Sequence, residues 1–127
     1  MDALKIDKTS WIAHSSLTRI YISSGFFNYA LQHLTEMQQL NPEAFELQYL
    51  LGSYWFERGD LVRSRQYAEQ AIRTQSDNAD AHNLLGNIHL SLGDRNKAAE
   101  EYRIALELAP DRSDIKLNYE VASRQPH

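Results

Sequence analysis

Any chemistry in this sequence has to be built from five histidines and seventeen carboxylates, because it contains no cysteine. The missing thiols remove a disulfide framework, a thiolate nucleophile and every cysteine metal ligand at once. His82 and His89 are seven residues apart and share one helix face, but two ligands at two-turn spacing do not define a zinc site. There is no Gly-rich phosphate loop and no pair of histidines around an intervening glutamate. Glu100, Glu101 and Glu107 surround Arg103 in a pattern that reads as the solvated outer face of a helix. The residues therefore predict no catalytic set, no cofactor site and no metal site, and the chain reads as non-enzymatic.

The composition narrows the alternatives. A length of 127 residues suits one folded unit, and 43% apolar and 24% charged residues with only five Gly and three Pro describe a globular chain leaning helical. A formal charge of -4, with no run of Lys and Arg, offers nothing to a phosphate backbone, so nucleic acid is not an expected partner. No stretch approaches the length of a membrane span and Met1 to Ser10 lacks a secretory apolar segment, so the expected location is cytoplasmic with no direct membrane insertion.

The elements that must position any binding residues come from a repeat. LLGSYWFERGD, Leu50 to Asp60, recurs as LLGNIHLSLGD, Leu84 to Asp94, at an offset of 34 residues. The same offset joins Gly25, Gly59 and Gly93, then Ala30, Ser64 and Ala98, then Pro42, Ser76 and Pro110. Three units follow, 11–44, 45–78 and 79–112, after an N-terminal segment 1–10. Each unit has an apolar pattern of helical period before its glycine and another after it, which makes it a helical hairpin. Gly25, Gly59 and Gly93 can take the left-handed conformation that ends a first helix, and Asp60 and Asp94 are placed to cap the next. Pro42 and Pro110 stop second helices; Ser76, Asp77 and Asn78 are expected to do so in the middle unit by side-chain capping. Small residues at Gly52, Gly86, Ser64, Ala98, Ala71 and Ala105 let helix axes approach. After Pro110, residues 113–123 continue the first-helix register with Ile115, Tyr119 and Ala122, leaving 124–127 as a tail. Lys116, Glu120 and Ser123 give this helix a polar outer face, as a solenoid cap requires.

The third unit carries His82, Leu85, Gly86, His89, Ala98, Tyr102, Ala105 and Pro110 in the slots of the W-x2-L-G-x2-Y, A-x3-F and P pattern, and so resembles the tetratricopeptide repeat. The second unit matches more loosely through Gln48, Leu51, Gly52, Trp55, Ser64, Ala68, Ala71 and Ser76, and the first through His14, Leu17, Thr18, Tyr21, Ala30, Leu34, Met37 and Pro42. The resemblance implies an all-α, right-handed superhelical solenoid of three helix-turn-helix repeats plus a C-terminal capping helix. It also assigns His14, His82 and His89 to packing between helices, and implies that the first helix of each repeat lines a concave groove that holds a peptide segment of a partner protein.

Transferred slot by slot, the partner-binding residues are Arg19 in the first unit, Glu46, Tyr49, Ser53, Phe56 and Glu57 in the second, and Asn83, Asn87 and Leu90 in the third. Asn83 and Asn87 share a face at a spacing of four, and their amides could serve the main chain of an extended ligand. Tyr49 and Phe56, between Glu46 and Glu57, suggest an apolar anchor pocket with a negative rim, or two rings packed between helices. Co-chaperone members of the family hold a terminal carboxylate with Lys and Asn in the first repeat and Lys and Arg in the third. Here Ser15 and Arg19 replace the first pair and Asp80 stands where a Lys is expected. The implied ligand is therefore a neutral or basic peptide with an apolar anchor, bound by an adaptor or assembly scaffold. A bacterial three-repeat chaperone for secreted or pilus-assembly subunits is the alternative.

The first unit is anomalous: Phe26 and Tyr29 stand where the other units have Asp60 and Arg63, and Asp94 and Lys97. Either Met1 to Ser10 folds back over these rings, or Phe26, Phe27 and Tyr29 form a second contact for a partner or for a homodimer, as in a self-assembling scaffold.

Overall fold

The computed structural model describes residues 8–124. Over that span the chain forms α1 (Lys8–Ser24), α2 (Phe27–Leu40), α3 (Phe45–Glu57), α4 (Leu61–Thr74), α5 (Ala79–Ser91), α6 (Arg95–Leu108) and α7 (Ser113–Ser123). Helices α1 and α2, α3 and α4, and α5 and α6 pair as hairpins, α1, α3 and α5 stack on one another, and α7 closes the stack against α5 and α6. The fold is an all-α helical repeat, as the resemblance implies. None of the described helices is long and apolar enough to cross a membrane.

Each hairpin turns on a glycine at positive φ: Gly25 at 80°, Gly59 at 85° and Gly93 at 86°. An L side chain there would strain the backbone, which accounts for the spacing of these residues. The Asp60 carboxylate then accepts from the Arg63 N–H at 3.0 Å, and Asp94 from the Lys97 N–H at 3.1 Å. Phe26 holds the equivalent position in the first hairpin and supplies no side-chain cap.

One expectation about helix ends needs correcting. Ser76 to Asn78 do not stop α4, which ends at Thr74 with Gln75 already extended. Asn78 instead starts α5, its side chain accepting from the N–H groups of Asp80 and Ala81 at 3.0 and 3.3 Å. An Asn oxygen accepts from donors ahead of it in the chain, so it serves the helix that follows.

The small residues set the interhelical approach. A Cβ added at Gly86 would lie 2.5 Å from Cε1 of Tyr102, and one at Gly52 would lie 2.9 Å from Cδ2 of Leu84. The buried Ser64 hydroxyl, facing Gly52, donates to its carbonyl at 2.7 Å. The core runs along this seam, from Leu34, Leu47, Leu50 and Tyr54 through Leu84 and Ile88 to Tyr102 and Ile115. In α7 Ile115 and Ala122 are buried, whereas Lys116, Glu120 and Ser123 face outward. Arg95 of α6 fastens the end of α7 by donating to the carbonyls of Val121 and Arg124 at 3.2 and 3.0 Å.

Tyr102 is fully buried and donates its hydroxyl to Oδ1 of Asn87 at 2.5 Å. Burial pushes the phenol up to about 12 from an ordinary 10.0. The folded state thus favours the protonated ring, and this contribution is complete below pH 10 and is lost as pH rises from 10 to about 12. A shift of that size is worth about 2–3 kcal/mol. Urea unfolding at pH 8 and pH 11.5 should show the wild type losing about 2 kcal/mol more than Tyr102→Phe over this interval. Equal losses in both proteins would remove Tyr102 from the alkaline transition.

Candidate functional site

The stacked first helices line one face of the molecule, and that face holds two adjoining hollows. The larger, a cavity of about 620 Å³, is bounded by Trp11, Ile12 and Arg19 of α1, by Phe45, Glu46 and Tyr49 of α3, and by Asn78 and Asp80 at the start of α5. The smaller, about 210 Å³, lies between Arg19, Ile22 and Ser23 of α1 and Tyr49, Ser53 and Glu57 of α3. Phe45, Tyr49 and Ser53 reach this face together because they are spaced by four along one helix.

Arg19 and Tyr49 form the wall common to both hollows. The guanidinium carbon of Arg19 lies 5.4 Å from the Tyr49 ring centroid, within range of a cation–π attraction. Phe45 stacks on Tyr49 with ring centroids 6.2 Å apart and planes inclined by 16°. Burial, reinforced by the Asp80 carboxylate, raises the Tyr49 phenol above its ordinary range, so the hydroxyl remains a donor.

The charge balance along the groove is negative. Glu46, Glu57 and Asp80 border the hollows. Arg112 donates to Asp80 at 2.9 Å and makes a two-pronged pair with Asp114, both bonds 2.9 Å. These hydrogen bonds, to Asp114 first and Asp80 second, raise the guanidinium further above its ordinary range, so Arg112 stays charged while serving two carboxylates of its own chain. Ser15, in the slot of the carboxylate-clamp lysine, is buried with its hydroxyl unpartnered among the described residues.

Of the residues transferred from the resemblance, Arg19, Glu46, Tyr49, Ser53 and Glu57 meet around these two hollows. The other four do not line them. Phe56 is half-buried and packs against the cluster of Ala68, Leu84, Leu85 and Ile88, as Tyr49 does in part, but it lies two turns further along α3 and lines neither hollow. Leu90 packs against the cluster of Ala98, Tyr102 and Ile115. The amides of Asn83 and Asn87 have their oxygens engaged inside the molecule, Asn83 by Nδ2 of Asn118 at 3.1 Å and Asn87 by the Tyr102 hydroxyl. Each keeps its NH2 group free of these contacts, while its oxygen has one of two lone pairs already engaged. The apolar wall is built instead by Trp11 and Phe45. These occupy the first slot of successive units, and two large aromatics there at the 34-residue offset were the signal to read.

The second candidate surface also changes. Phe27 belongs to the core: its ring meets Tyr54 edge-on at 6.0 Å, under the Arg58 guanidinium. Phe26 and Tyr29 are 56% and 53% exposed, and the Tyr29 ring lies against Tyr21 at 5.3 Å. A fold-back of residues 1–10 over them falls, except for the start of α1, outside the described residues.

Glu101 is not on the outer face either. It turns inward to His82, with Oε2 at 2.7 Å from Nδ1, while Nε2 of the same ring meets the Ser76 carbonyl at 2.8 Å. The equivalent slots in the first hairpin hold His14 and His33, whose Nδ1 atoms are 2.7 Å apart, with Glu36 at 3.0 Å from Nε2 of His14. Sequence reasoning missed His33 and Glu36.

Two family models, both described as tetratricopeptide repeat, match residues 19–76 and 79–112, which together make up most of the chain. The chain belongs to the tetratricopeptide repeat family. Similar solved structures include the first TPR of Spaghetti (RPAP3) bound to an HSP90 peptide, at 17% identity and a TM-score of 0.78, covering 93% of this chain and 94% of that one. An O-GlcNAc transferase from Thermobaculum terrenum matches at 22% identity and a TM-score of 0.83 over 93% of this chain, which spans only 23% of that enzyme. MamA matches at 26% identity and a TM-score of 0.72, over 86% of this chain and 64% of MamA. The tetratricopeptide fold is generally an interaction scaffold rather than a catalytic one, and the hollows described above lie on the face formed by its first helices.

Proposed function

We propose that this tetratricopeptide repeat protein is a peptide-binding interaction module, acting as an adaptor or assembly scaffold. Its ligand is an extended segment of neutral or basic character that inserts one apolar side chain between Trp11, Phe45 and Tyr49. The observation that carries this reading is the aromatic cavity rimmed by Glu46 and Asp80, with the smaller hollow and Glu57 continuing the same face. A cavity of this size has room for an apolar side chain together with the backbone that carries it, and the carboxylates along it favour cationic neighbours on the ligand.

The related Spaghetti domain holds an HSP90 peptide of sequence SRMEEVD. Its acidic end is poorly matched here, because Asp80 replaces a cation and Arg112 is committed to Asp80 and Asp114.

Peptide selection followed by fluorescence anisotropy tests the reading. Selected ligands should pair an apolar residue with Lys or Arg, and the double variant Glu46→Lys, Glu57→Lys should weaken them about tenfold or more while leaving the melting temperature within about 2 °C. Micromolar affinity of the wild type for SRMEEVD would overturn it.

A further inference from the structure

His14, His33 and Glu36 lie outside the groove, at the junction of α1 and α2, and each offers one ligand atom within 4.8 Å of the other two. We propose that these three side chains bind one divalent transition cation of the zinc type, which staples the N-terminal hairpin.

The 34-residue register supports this assignment. His14 corresponds to His82, and His33 corresponds to Glu101. In the third hairpin the pair is complementary, an imidazole nitrogen against a carboxylate oxygen at 2.7 Å, and both ring nitrogens of His82 have oxygen partners. In the first hairpin the carboxylate is replaced by a second imidazole, so two basic nitrogens face each other at 2.7 Å. Without a cation the two nitrogens are joined by one hydrogen bond, one donating its proton to the lone pair of the other; a cation would take both lone pairs instead. Tetrahedral zinc with Zn–N bonds of 2.0–2.1 Å sets its nitrogens about 3.3 Å apart, so a small opening of the two rings makes room.

The surroundings favour such a site. Tyr21 stacks on His33 at 5.6 Å with an interplanar angle of 15°, which orients that ring. His14 is mostly shielded, at 17% side-chain exposure; Glu36, 60% exposed, lies 3.0 Å from Nε2 of His14, the ring nitrogen turned away from His33, and reaches the cation by swinging a carboxylate oxygen round that ring. His33 and Glu36 are three residues apart on α2 and share a face, with His14 supplied across the interface by α1. Two imidazoles and one carboxylate form a donor set suited to zinc and its neighbours rather than to Mg2+ or Ca2+, and the fourth position is left to water. The staple would also join a hairpin whose second helix lacks the aspartate cap that begins α4 and α6.

The test uses the full chain after chelator treatment, titrated with Zn2+ at pH 7.5 by calorimetry and, separately, with Co2+ followed by visible absorption. One equivalent should bind with a dissociation constant in the micromolar range or below, and Zn2+ at a hundredfold excess over that constant should raise the melting temperature by about 5 °C or more. His33→Asn and Glu36→Gln should each weaken binding at least tenfold, and His89→Asn should not. Glu36→Gln changes an exposed side chain and so decides the matter even if His33→Asn fails to fold. No saturable uptake below 100 μM, or equal uptake by Glu36→Gln and the wild type, overturns the proposal.

Discussion

Replacing Tyr102 by Ala will destabilise the protein by about 3–5 kcal/mol, the range for deleting a large buried aromatic. The ring has no exposed surface, and its removal also leaves Oδ1 of Asn87 without its donor. Against a typical total of about 5–15 kcal/mol, that loss places the variant close to unfolding at ambient temperature.

The same ring sets the sign of a second substitution. Gly86 lies in the middle of α5, where alanine would ordinarily stabilise a helix by about 1 kcal/mol. Here the new Cβ would meet Cε1, Cδ1 and Cζ of Tyr102 at 2.5, 2.7 and 3.0 Å. The ring is enclosed on all sides and tethered through its hydroxyl, so it cannot yield as a flexible side chain would. Overpacking of this kind costs about 1–3 kcal/mol, and Gly86→Ala should therefore destabilise the wild type. In a Tyr102→Ala background the obstacle is gone, and Gly86→Ala should turn neutral or stabilising. Urea midpoints for the four proteins of this cycle measure the coupling directly. If Gly86→Ala has the same effect in both backgrounds, the close approach of α5 and α6 is not what excludes a side chain at residue 86.

Which parts of the molecule were readable in advance follows from how local the causes are. The turn glycines and the Asp60 and Asp94 caps act within a few residues, so spacing along the chain was enough to place them. Asn78 was assigned to the wrong helix because a capping residue between two helices can serve either one until backbone direction is known. The groove was half legible. Slots transferred from the family located Arg19 and Tyr49, but helical phase alone could not say that Phe56 lies beyond both hollows or that the oxygens of Asn83 and Asn87 accept from Asn118 and Tyr102. Those orientations depend on what stands opposite, here Tyr102 and Asn118, and neither is a neighbour in sequence. Contacts across a hairpin were not read from the sequence, and emerge as a register only in the structure: residues 19 apart meet in the first and third hairpins, as His14 with His33 and His82 with Glu101.

That last contact carries the other large effect. Replacing His82 by Ala should cost about 2–4 kcal/mol, since it leaves both the Glu101 carboxylate and the Ser76 carbonyl without their partner. The ring is 7% exposed and the Glu101 side chain 19%, so water reaches the orphaned carboxylate only in part, and the expected loss lies somewhat below that for a wholly buried ion pair. The magnitude also reflects what the ring joins. Ser76 precedes α5 and Glu101 lies within α6, so His82 ties the connection between the second and third hairpins to the third hairpin itself. Glu101→Gln alone should cost less, because the amide keeps an oxygen for Nδ1 and gives up only the charge. Combining it with His82→Ala should cost less than the two losses added, by about 1 kcal/mol or more, as no buried charge then remains to be stranded. Chemical denaturation of the wild type, both single variants and the double variant gives this coupling. A strictly additive result would mean that His82 stabilises the third hairpin through packing volume, and that its bond to Glu101 contributes nothing.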